Sequence, residues 1–251
     1  MRYIRIAGVY LIGTLAVCLL SAVPAFAVEE NNPQWRVQGK VLAKGTKDVI
    51  NVKQNGNQFF HASTFLLGTI KCIKMKSKEA EIFGSTPPNA GTSDEIFVYE
   101  ECELEGSPKC EINKKTGESK EAKITTVTLE GRLVFSTKQG AKNESAEETD
   151  TLFKPKAGTT FVTIELGANC PRMETFVYKG EVLARNLGTP GKEEKTHGLE
   201  PVEEGTYFEN EVKKTVERKV GKLMEAAAVL LGVSGKVVVE LASKEEWSLF
   251  N

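Results

Sequence analysis

The stretch TTFVTIELGANC, residues 159–170, decides the fold because it alternates apolar with polar side chains and then ends at a cysteine. Val162, Ile164 and Leu166 occupy alternate positions of the stretch. An alternation of this kind is typical of a β-strand that is buried on one face. We therefore predict a strand here, and the same pattern can be followed outward along the rest of the chain.

Short segments of β-branched and aromatic residues recur between Gly, Asn and Pro residues. They are LGTIKC (67–72), EIFVYEEC (95–102), AKITTVTLEGRLVFS (122–136), ETFVYKGEVLA (174–184) and GKVVVELAS (235–243). No convincing helix alternates with them, so we predict an all-β protein with an antiparallel β-sandwich or barrel-like domain. Asn55-Gly56 is predicted to turn a hairpin, and the segment 122–136 is predicted to hinge near Glu130-Gly131.

The segment 210–232, NEVKKTVERKVGKLMEAAAVLLG, fits two kinds of secondary structure. Four of its apolar residues share one helical face, and four other positions alternate as in a strand: Val212, Val216, Val220 and Leu223 for the helix, and Ala227, Val229, Leu231 and Val233 for the strand. Gly221 interrupts the helical pattern, but periodicity alone still favours the helix slightly. A short helix near the C-terminus is therefore left open.

The long polar stretch at 185–206 separates two parts of the predicted β structure. Its composition is rich in Gly, Pro and charged residues, which is typical of a linker or a long loop. We predict a disulfide-bearing β domain at 28–184, the linker or loop at 185–206, and a C-terminal β segment at 207–251. The C-terminal segment is expected to pack on the same domain.

The N-terminal 27 residues have the pattern of a signal peptide. Arg2 and Arg5 precede an apolar run at 6–20, and Ala25-Phe26-Ala27 supplies the small residues that a signal peptidase recognises. We predict cleavage after Ala27 and export, with a retained anchor as the alternative. The apolar run is short for a membrane span, so no stable span is expected after cleavage.

The charge of the exported chain argues against nucleic acid as a partner. The whole chain has a formal charge of −1, and loss of the two signal-peptide arginines changes it to about −3. A nucleic-acid-binding protein usually shows a strongly basic balance or a basic stripe, and neither is present.

Four cysteines remain after the predicted cleavage: Cys72, Cys102, Cys110 and Cys170. An even number of cysteines in an exported chain predicts disulfides, here two. Four cysteines allow three pairings, of which we prefer Cys72–Cys102 with Cys110–Cys170, because neighbouring strands end at the first two. No pair has the spacing of a structural zinc site or of a redox Cys-x-x-Cys motif, so no metal ligand is predicted.

The sequence assigns no catalytic or cofactor-binding residue. His61 could act as a base for Ser63 only if the fold placed an acid beside it, and a strand-end histidine is the simpler interpretation. His197 lies in the predicted linker, where a solvated histidine is expected. Common hydrolase and nucleotide-binding motifs are missing, and no cofactor is predicted.

A cluster of glutamates surrounds one of the cysteines, with Glu100, Glu101 and Glu103 flanking Cys102. Strand alternation would place Glu101 and Glu103 on one face, and two nearby acids are what a glycosidase requires. The alternative, which we prefer, is a solvated acidic strand at a sheet edge, where charges discourage other chains from pairing. The apolar stretch KVVVELAS is predicted to be either central or open to a partner strand.

The order of several short motifs resembles a set of secreted proteins that occur in multiple copies in soil actinobacteria. The motifs are QWRVQGKVLAKGT, LLGTIKC, VYEEC, LEGRLVF, YKGEVLA and VSGKVVVELASKEEW. The resemblance implies export, β structure and paired cysteines, and it carries no catalytic residue. It also favours a hairpin turning at 233–236 over the C-terminal helix.

Together these patterns predict a secreted, non-enzymatic binding or structural protein at or outside the cell surface. The partner is an unknown extracellular or cell-surface ligand, and self-association is left open. One alternative is a secreted, carboxylate-dependent hydrolase of carbohydrate or cell-wall material. Another is a strand-exchanging subunit of a surface assembly.

Overall fold

The computed structural model describes residues 33–62, 68–86, 89–113, 122–137, 147–189, 191–202, 205–209, 212–216, 219–222 and 228–250. The predicted signal peptide, 1–27, lies outside the described residues. All regular elements in the described part of the chain are β-strands. They are β1 (Gln34–Val37), β2 (Lys40–Val41), β3 (Lys47–Ala62), β4 (Thr69–Phe83), β5 (Thr92–Leu104), β6 (Lys123–Thr125), β7 (Leu129–Thr137), β8 (Glu147–Pro155), β9 (Thr160–Glu165), β10 (Thr175–Lys179), β11 (Val182–Asn186), β12 (Thr196–Pro201), β13 (Gly205–Glu209), β14 (Val212–Val216), β15 (Lys219–Lys222), β16 (Ala228–Leu241) and β17 (Trp247–Phe250).

Eight of these strands form a closed antiparallel barrel. Around the barrel the order is β3, β4, β5, β7, β8, β11, β12 and β16, and β16 pairs again with β3. Each barrel strand therefore lies beside the barrel strands that precede and follow it in the chain. Closure pairs both sides of a sheet and removes the exposed edges that an open sheet would leave. The prediction of an all-β, antiparallel, barrel-like protein is confirmed.

The alternation seen in the sequence places one set of side chains inside the barrel. Phe97 and Tyr99 of β5, and Val237, Val239 and Leu241 of β16, are all buried. Because successive side chains of a strand point to opposite faces, the residues between them face outward or lie between layers. The barrel core is thus built from the alternate positions of its strands.

A small sheet brings both tryptophans of the chain to the barrel. It consists of β17, β1 and β2, and it places Trp35 and Trp247 with their ring centroids 5.8 Å apart. The indole nitrogen Nε1 of Trp35 donates a hydrogen bond of 2.9 Å to the carbonyl oxygen of Thr92, the first residue of β5. Both indoles are buried among barrel side chains.

The β9–β10 hairpin adds a second packed layer. The stretch 159–170 contains β9, with Val162 and Ile164 fully buried as predicted. Tyr178 of β10 packs edge-on against Phe60 of β3, with ring centroids 5.6 Å apart. The hairpin therefore joins the core of the barrel.

Both predicted disulfides are present. Cys72 of β4 lies directly opposite Cys102 of β5, and Cys110 is bonded to Cys170 just after β9. The two bridges close loops of 30 and 60 residues by sequence separation. Bridges of that span typically stabilise a fold by about 3–4 kcal/mol, mainly by restricting the unfolded chain.

The predicted hairpin turn at Asn55-Gly56 is wrong. These residues lie inside β3, which continues for 16 residues because β16 pairs on one side and β4 on the other. Gly56 does adopt a positive φ of 98°, but it does so at a register shift between Lys53 and Gln58. A positive φ can serve a β-bulge as well as a turn, and sequence alone does not separate the two.

The predicted hinge at Glu130-Gly131 is also displaced. Both residues lie inside β7, and the chain leaves the ladder earlier, between β6 and β7. Gly131 pairs across the sheet with Ser93. A Cβ atom on Gly131 would lie only 2.2 Å from the Ser93 hydroxyl oxygen, so the glycine is required by close packing and not by a bend.

The C-terminal segment is built of strands over the residues described, and the helix is not formed there. β14, β15 and β16 occupy 212–216, 219–222 and 228–241. The hairpin expected at 233–236 is wrong, since β16 runs through it with a register shift between Ser234 and Lys236. Gly235 has a φ of 129°, and the Gln58 side chain fills the bulge by donating to the Lys236 carbonyl at 2.8 Å.

The stretch predicted as a linker, 185–206, contains part of the barrel instead. Thr196–Pro201 forms β12, which pairs with β11 on one side and β16 on the other. The residues between β11 and β12, which include Gly188, Gly191 and the charged run 192–195, form the connection that the polar composition indicated. The C-terminal segment then continues into the same barrel through β16.

Candidate functional site

The barrel encloses an apolar cavity of about 50 Å³, which we call the inner cavity. Most of its wall is aliphatic or aromatic, and every barrel strand except β7 contributes, together with β1, β9 and β17. The lining residues are Trp35, Ile50, Val52, Gln58, Met75, Ser93, Glu95, Phe97, Tyr99, Thr151, Phe153, Phe161, Val182, Ala184, Leu199, Pro201, Val233, Val237, Val239, Trp247 and Leu249. Such a wall suits a small apolar molecule.

Four polar, non-aromatic side chains interrupt this wall. Gln58 bonds to the Lys236 carbonyl, and we call the other three, Ser93, Glu95 and Thr151, the polar end. All three residues are buried. Glu95 Oε2, Ser93 Oγ and Thr151 Oγ1 make no hydrogen bond within the described part of the chain. Buried polar atoms normally find a partner, so unpaired atoms that share one cavity point to a group that the protein itself does not supply.

The Glu95 carboxyl is held in its neutral form. Its side chain is 3% exposed, and burial raises its pKa from 4.5 to about 8. The nearby Ser93 hydroxyl lowers the Glu95 pKa, and the charge of Asp94 raises it further. The contact between the Ser93 hydroxyl and the Glu95 carboxyl does not have the geometry of a hydrogen bond. At neutral pH the carboxyl is therefore largely protonated, with one donor and one free acceptor.

A larger pocket lies in the barrel wall, and we call it the wall pocket. Its volume is about 430 Å³, and its lining is half polar. The lining residues are Val49, Ile50, Asn51, Ser77, Lys78, Glu79, Ala80, Glu81, Asp94, Glu95, Ile96 and Thr128. Two of these, Ile50 and Glu95, also line the inner cavity, so the two spaces are neighbours.

Most acids of the wall pocket are paired with lysines. Glu81 bonds to Lys47 at 2.6 Å, and Asp94 is paired with Lys156. Glu79 lies 3.5 Å from Lys78 in an exposed pair. Glu95 differs from these acids because it is buried and has no cationic partner in the part of the chain that the structure describes.

The strands beside the wall pocket are joined partly by side chains, along a stretch that we call the seam. The β3–β4 ladder shifts register between Val49 and Lys53 and again between Lys53 and Gln58. Across the first shift, the Val52 backbone N–H donates to Ser77 Oγ at 3.0 Å. A side chain has replaced a backbone acceptor there.

The Gln54 side chain closes the other part of the seam. Its Nε2 donates to the Ile73 carbonyl at 2.6 Å, and its Oε1 accepts the Met75 backbone N–H. Each of these contacts depends on one side-chain conformation. The seam therefore joins β3 to β4 partly through single side chains, where a continuous ladder would use backbone hydrogen bonds.

His197 is buried, whereas the sequence predicted a solvated histidine. It is 1% exposed on β12, and its Nε2 lies 2.6 Å from the Trp247 carbonyl oxygen. That contact assigns the proton to Nε2, which leaves the buried Nδ1 without a partner among the described residues. Burial lowers the His197 pKa, while the Trp247 carbonyl and Glu194 oppose the change.

His61 lies on β3, away from the polar end. Its Nε2 is 2.6 Å from the Ser234 hydroxyl, and its ring stacks on Phe59 with centroids 5.9 Å apart. Ser63, the nucleophile considered with it, lies outside the described residues. The contacts of His61 are those of a histidine that joins β3 to β16.

The glutamates around Cys102 point away from the barrel core. Glu100 pairs with Lys76 at 3.2 Å, Glu101 pairs with Lys74, and Glu103 is exposed. All three share the outer face because Glu101 has a positive φ of 53°, which shifts the alternation by one residue. None of them lines the inner cavity or the wall pocket.

The acidic strand around Cys102 was predicted to lie at a sheet edge. It does not form an edge at Glu100, where strands pair with it on both sides. Glu100 lies between β4 and β6 in the sheet, opposite Lys74 and Lys123. The apolar stretch KVVVELAS is central, since β16 pairs with β12 and β3. Barrel closure explains the central place of β16, and the added strand β6, which lies outside the barrel, explains that of Glu100.

Sequence reasoning did not single out Glu95, although a signal for it was available. Ser93, Glu95, Phe97 and Tyr99 share one parity of β5, so an acidic side chain stands in the apolar set. Glu100 has the opposite parity and reaches solvent. The parity of an acid along an amphipathic strand therefore separates these two glutamates.

Comparison with protein-family models, with curated proteins and with solved structures gives no match for this chain. The resemblance to secreted actinobacterial proteins therefore stays a prediction. Over the residues it describes, the structure contains no helix with the length and hydropathy that a bilayer crossing requires. Within the same residues, no group of three or more His, Cys, Asp or Glu side chains is arranged to hold a metal ion.

Proposed function

We propose that this protein is exported and acts, outside the cell or at its surface, as a non-enzymatic binding protein that holds a small molecule inside its barrel. The observation that carries the proposal is the apolar inner cavity with unpaired polar atoms in its wall. An eight-stranded barrel is just wide enough to be filled by side chains or to hold one small ligand. Unpaired polar atoms favour the second case, because a core filled only by side chains would leave them unsatisfied.

Export is supported by two independent features of the chain. The first 27 residues have the charged, apolar and small-residue regions of a signal peptide. The two disulfides are consistent with an oxidising compartment, since thiols inside the cytosol are kept reduced.

A binding role is favoured over hydrolysis by the placement of the acids. A hydrolase of the two-carboxylate type needs a pair of carboxyl groups that flank the reacting bond. Glu95 is the single carboxylate among the residues that line the inner cavity. The acids of the wall pocket other than Glu95 are engaged by lysines.

Binding is tested by native mass spectrometry of the protein isolated from its producing cells. We expect a discrete mass excess over the chain, lost after mild organic extraction and restored by added ligand. Ala184→Leu, which adds bulk inside the cavity, should abolish the excess. Val134→Leu adds bulk to a separate cluster outside the barrel core and should retain it. A bare chain mass that no small apolar probe changes would refute the binding role.

Export is tested on the same material. We expect the protein in the culture medium, with an N-terminus at Val28 and no free thiol at Cys72, Cys102, Cys110 or Cys170. A full-length chain with free thiols inside the cell would overturn the assignment to the exterior.

A further inference from the structure

The polar end of the inner cavity has a composition that selects among ligand classes. Ser93, Glu95 and Thr151 come from β5 and β8, and Gly131 of β7 leaves the room that Ser93 and Glu95 occupy. The rest of the wall is mostly apolar, with Val237 among its members. A ligand in this space therefore meets a few hydrogen-bonding groups in a mostly apolar wall, and the Trp247 Nε1–H is a further donor there without a partner among the described residues.

We propose that the polar end binds the hydroxyl group of a small uncharged molecule whose apolar part contacts the remaining wall of the cavity. The inference rests on the proposed function, because it names the ligand class of the same cavity. The three protein groups can each donate and accept: two hydroxyls and a protonated carboxyl. A ligand hydroxyl, which also donates and accepts, complements all three.

Charged ligands fit the cavity poorly. Among the described residues the lining contains no Lys, Arg or His, so an anionic ligand such as a carboxylate would be buried there without a counter-charge. A cationic ligand would require Glu95 to ionise at a site where burial opposes ionisation. An uncharged hydroxyl avoids both penalties.

The size and location of the two pockets indicate how such a molecule enters. The inner cavity of about 50 Å³ is smaller than the usual site for a small organic molecule, while the neighbouring wall pocket of about 430 Å³ lies within the usual range. Ile50 and Glu95 line both spaces, and Ile50 lies at the first register shift of the seam. Parting of the seam joins the spaces and gives a ring-sized molecule access to Glu95.

Four probes of nearly equal shape test the ligand class: benzyl alcohol, toluene, benzylammonium and benzoate. Their affinities are measured by calorimetry on the oxidised protein, with tryptophan fluorescence as a second readout because Trp35 and Trp247 line the cavity. We expect benzyl alcohol to bind about tenfold more tightly than toluene, and both ions to bind more weakly than either. Equal binding of benzyl alcohol and toluene, or tightest binding by an ion, would overturn the inference.

Two substitutions at Glu95 test whether this residue causes the preference for benzyl alcohol over toluene. Glu95→Gln keeps a neutral side chain that donates and accepts, and we expect it to retain the preference for benzyl alcohol. Glu95→Leu removes the hydrogen-bonding groups, and we expect the preference to fall below threefold while toluene still binds. Retention of the full preference in Glu95→Leu would place the hydroxyl elsewhere and refute the assignment.

A matched pair of variants tests whether the ligand enters the inner cavity through the seam. Gln54→Ala removes both side-chain bonds of Gln54 across the seam, so the association and dissociation rates of benzyl alcohol should both rise. Asn113→Ala removes a comparable amide bridge to Lys123 and Glu165, away from the seam, and should leave the rates unchanged. Equal rates in the two variants would exclude entry through the seam.

The outcomes also separate this inference from the proposed function. If toluene and benzyl alcohol bind equally well inside the barrel, the binding role stands and the hydroxyl assignment fails. If none of the four probes binds, the hydroxyl assignment fails, and the mass excess of the native protein alone decides the binding role.

Discussion

Replacing Glu95 with glutamine should remove a pH-dependent loss of stability from this protein. Glu95 keeps its proton in the folded state up to about pH 8, whereas in the unfolded chain it releases the proton near its ordinary pKa of 4.5. Below pH 4.5 the Glu95 carboxyl is protonated in both the folded and the unfolded state. Between pH 4.5 and about 8 only the folded state keeps the proton, so the free energy of unfolding falls as the pH rises through this range. Above that range the loss is complete.

The magnitude of this loss follows from the pKa. A tenfold change in a protonation equilibrium corresponds to about 1.4 kcal/mol, so a rise from 4.5 to about 8 corresponds to a loss of about 5 kcal/mol. Whole domains are stable by about 5–15 kcal/mol, so the effect is large enough to measure. Glutamine has nearly the same shape and stays neutral, so Glu95→Gln should gain up to about this amount at pH 9 and little at pH 4.

The assay is urea unfolding of the oxidised wild type and variant at several pH values, followed by tryptophan fluorescence. Trp35 and Trp247 are both buried, so their emission reports loss of the core. The useful quantity is the difference in unfolding free energy between the two proteins, since the contribution of His197 is common to both and cancels. A difference that does not change between pH 4 and pH 9 would show that Glu95 is not a buried, neutral carboxyl.

Three other variants test the close packing at Gly131, the second disulfide and the buried histidine. Gly131→Ala should destabilise the fold by about 1–3 kcal/mol, because its Cβ would lie 2.2 Å from Ser93 Oγ; an unchanged urea midpoint would contradict that contact. Replacing Cys110 and Cys170 together with serine should lower the unfolding free energy by about 3–4 kcal/mol, and an unaltered value would show that the 60-residue loop is not closed. The lowered pKa of His197 means that stability falls as the pH drops below 6.5; His197→Asn should remove this acid dependence, and an identical acid profile would argue against a buried neutral imidazole.

Local signals in the sequence predicted much of the architecture. The alternation in 159–170 predicts β9 and its buried positions, and the even count of exported cysteines predicts two disulfides. Cys72 and Cys102 end neighbouring strand-like segments, so their pairing could also be preferred in advance. Each of these inferences depends on residues that are close in sequence or on the chemistry of one residue type.

The placement of glycines could not be settled in the same way. Gly56 and Gly235 both have positive φ values. A hairpin turn was predicted at Asn55-Gly56 from the residues, and one at 233–236 from the resemblance to secreted proteins. Both glycines serve bulges instead, because β3 and β16 each have a partner strand on both sides and continue through the glycine. Whether a chain turns or bulges depends on strands that are distant in sequence.

The sequence by itself determined that this protein is built of antiparallel strands and that its four exported cysteines can pair, because alternation and cysteine chemistry are local properties. Only the tertiary structure decided that the strands close into a barrel, and that closure gives identical side chains opposite roles. Glu95 and Glu100 lie on the same strand, yet the first is buried and neutral while the second bonds to Lys76 in solvent. The physical reason is dielectric: a closed barrel removes water from one face of each strand and leaves it on the other.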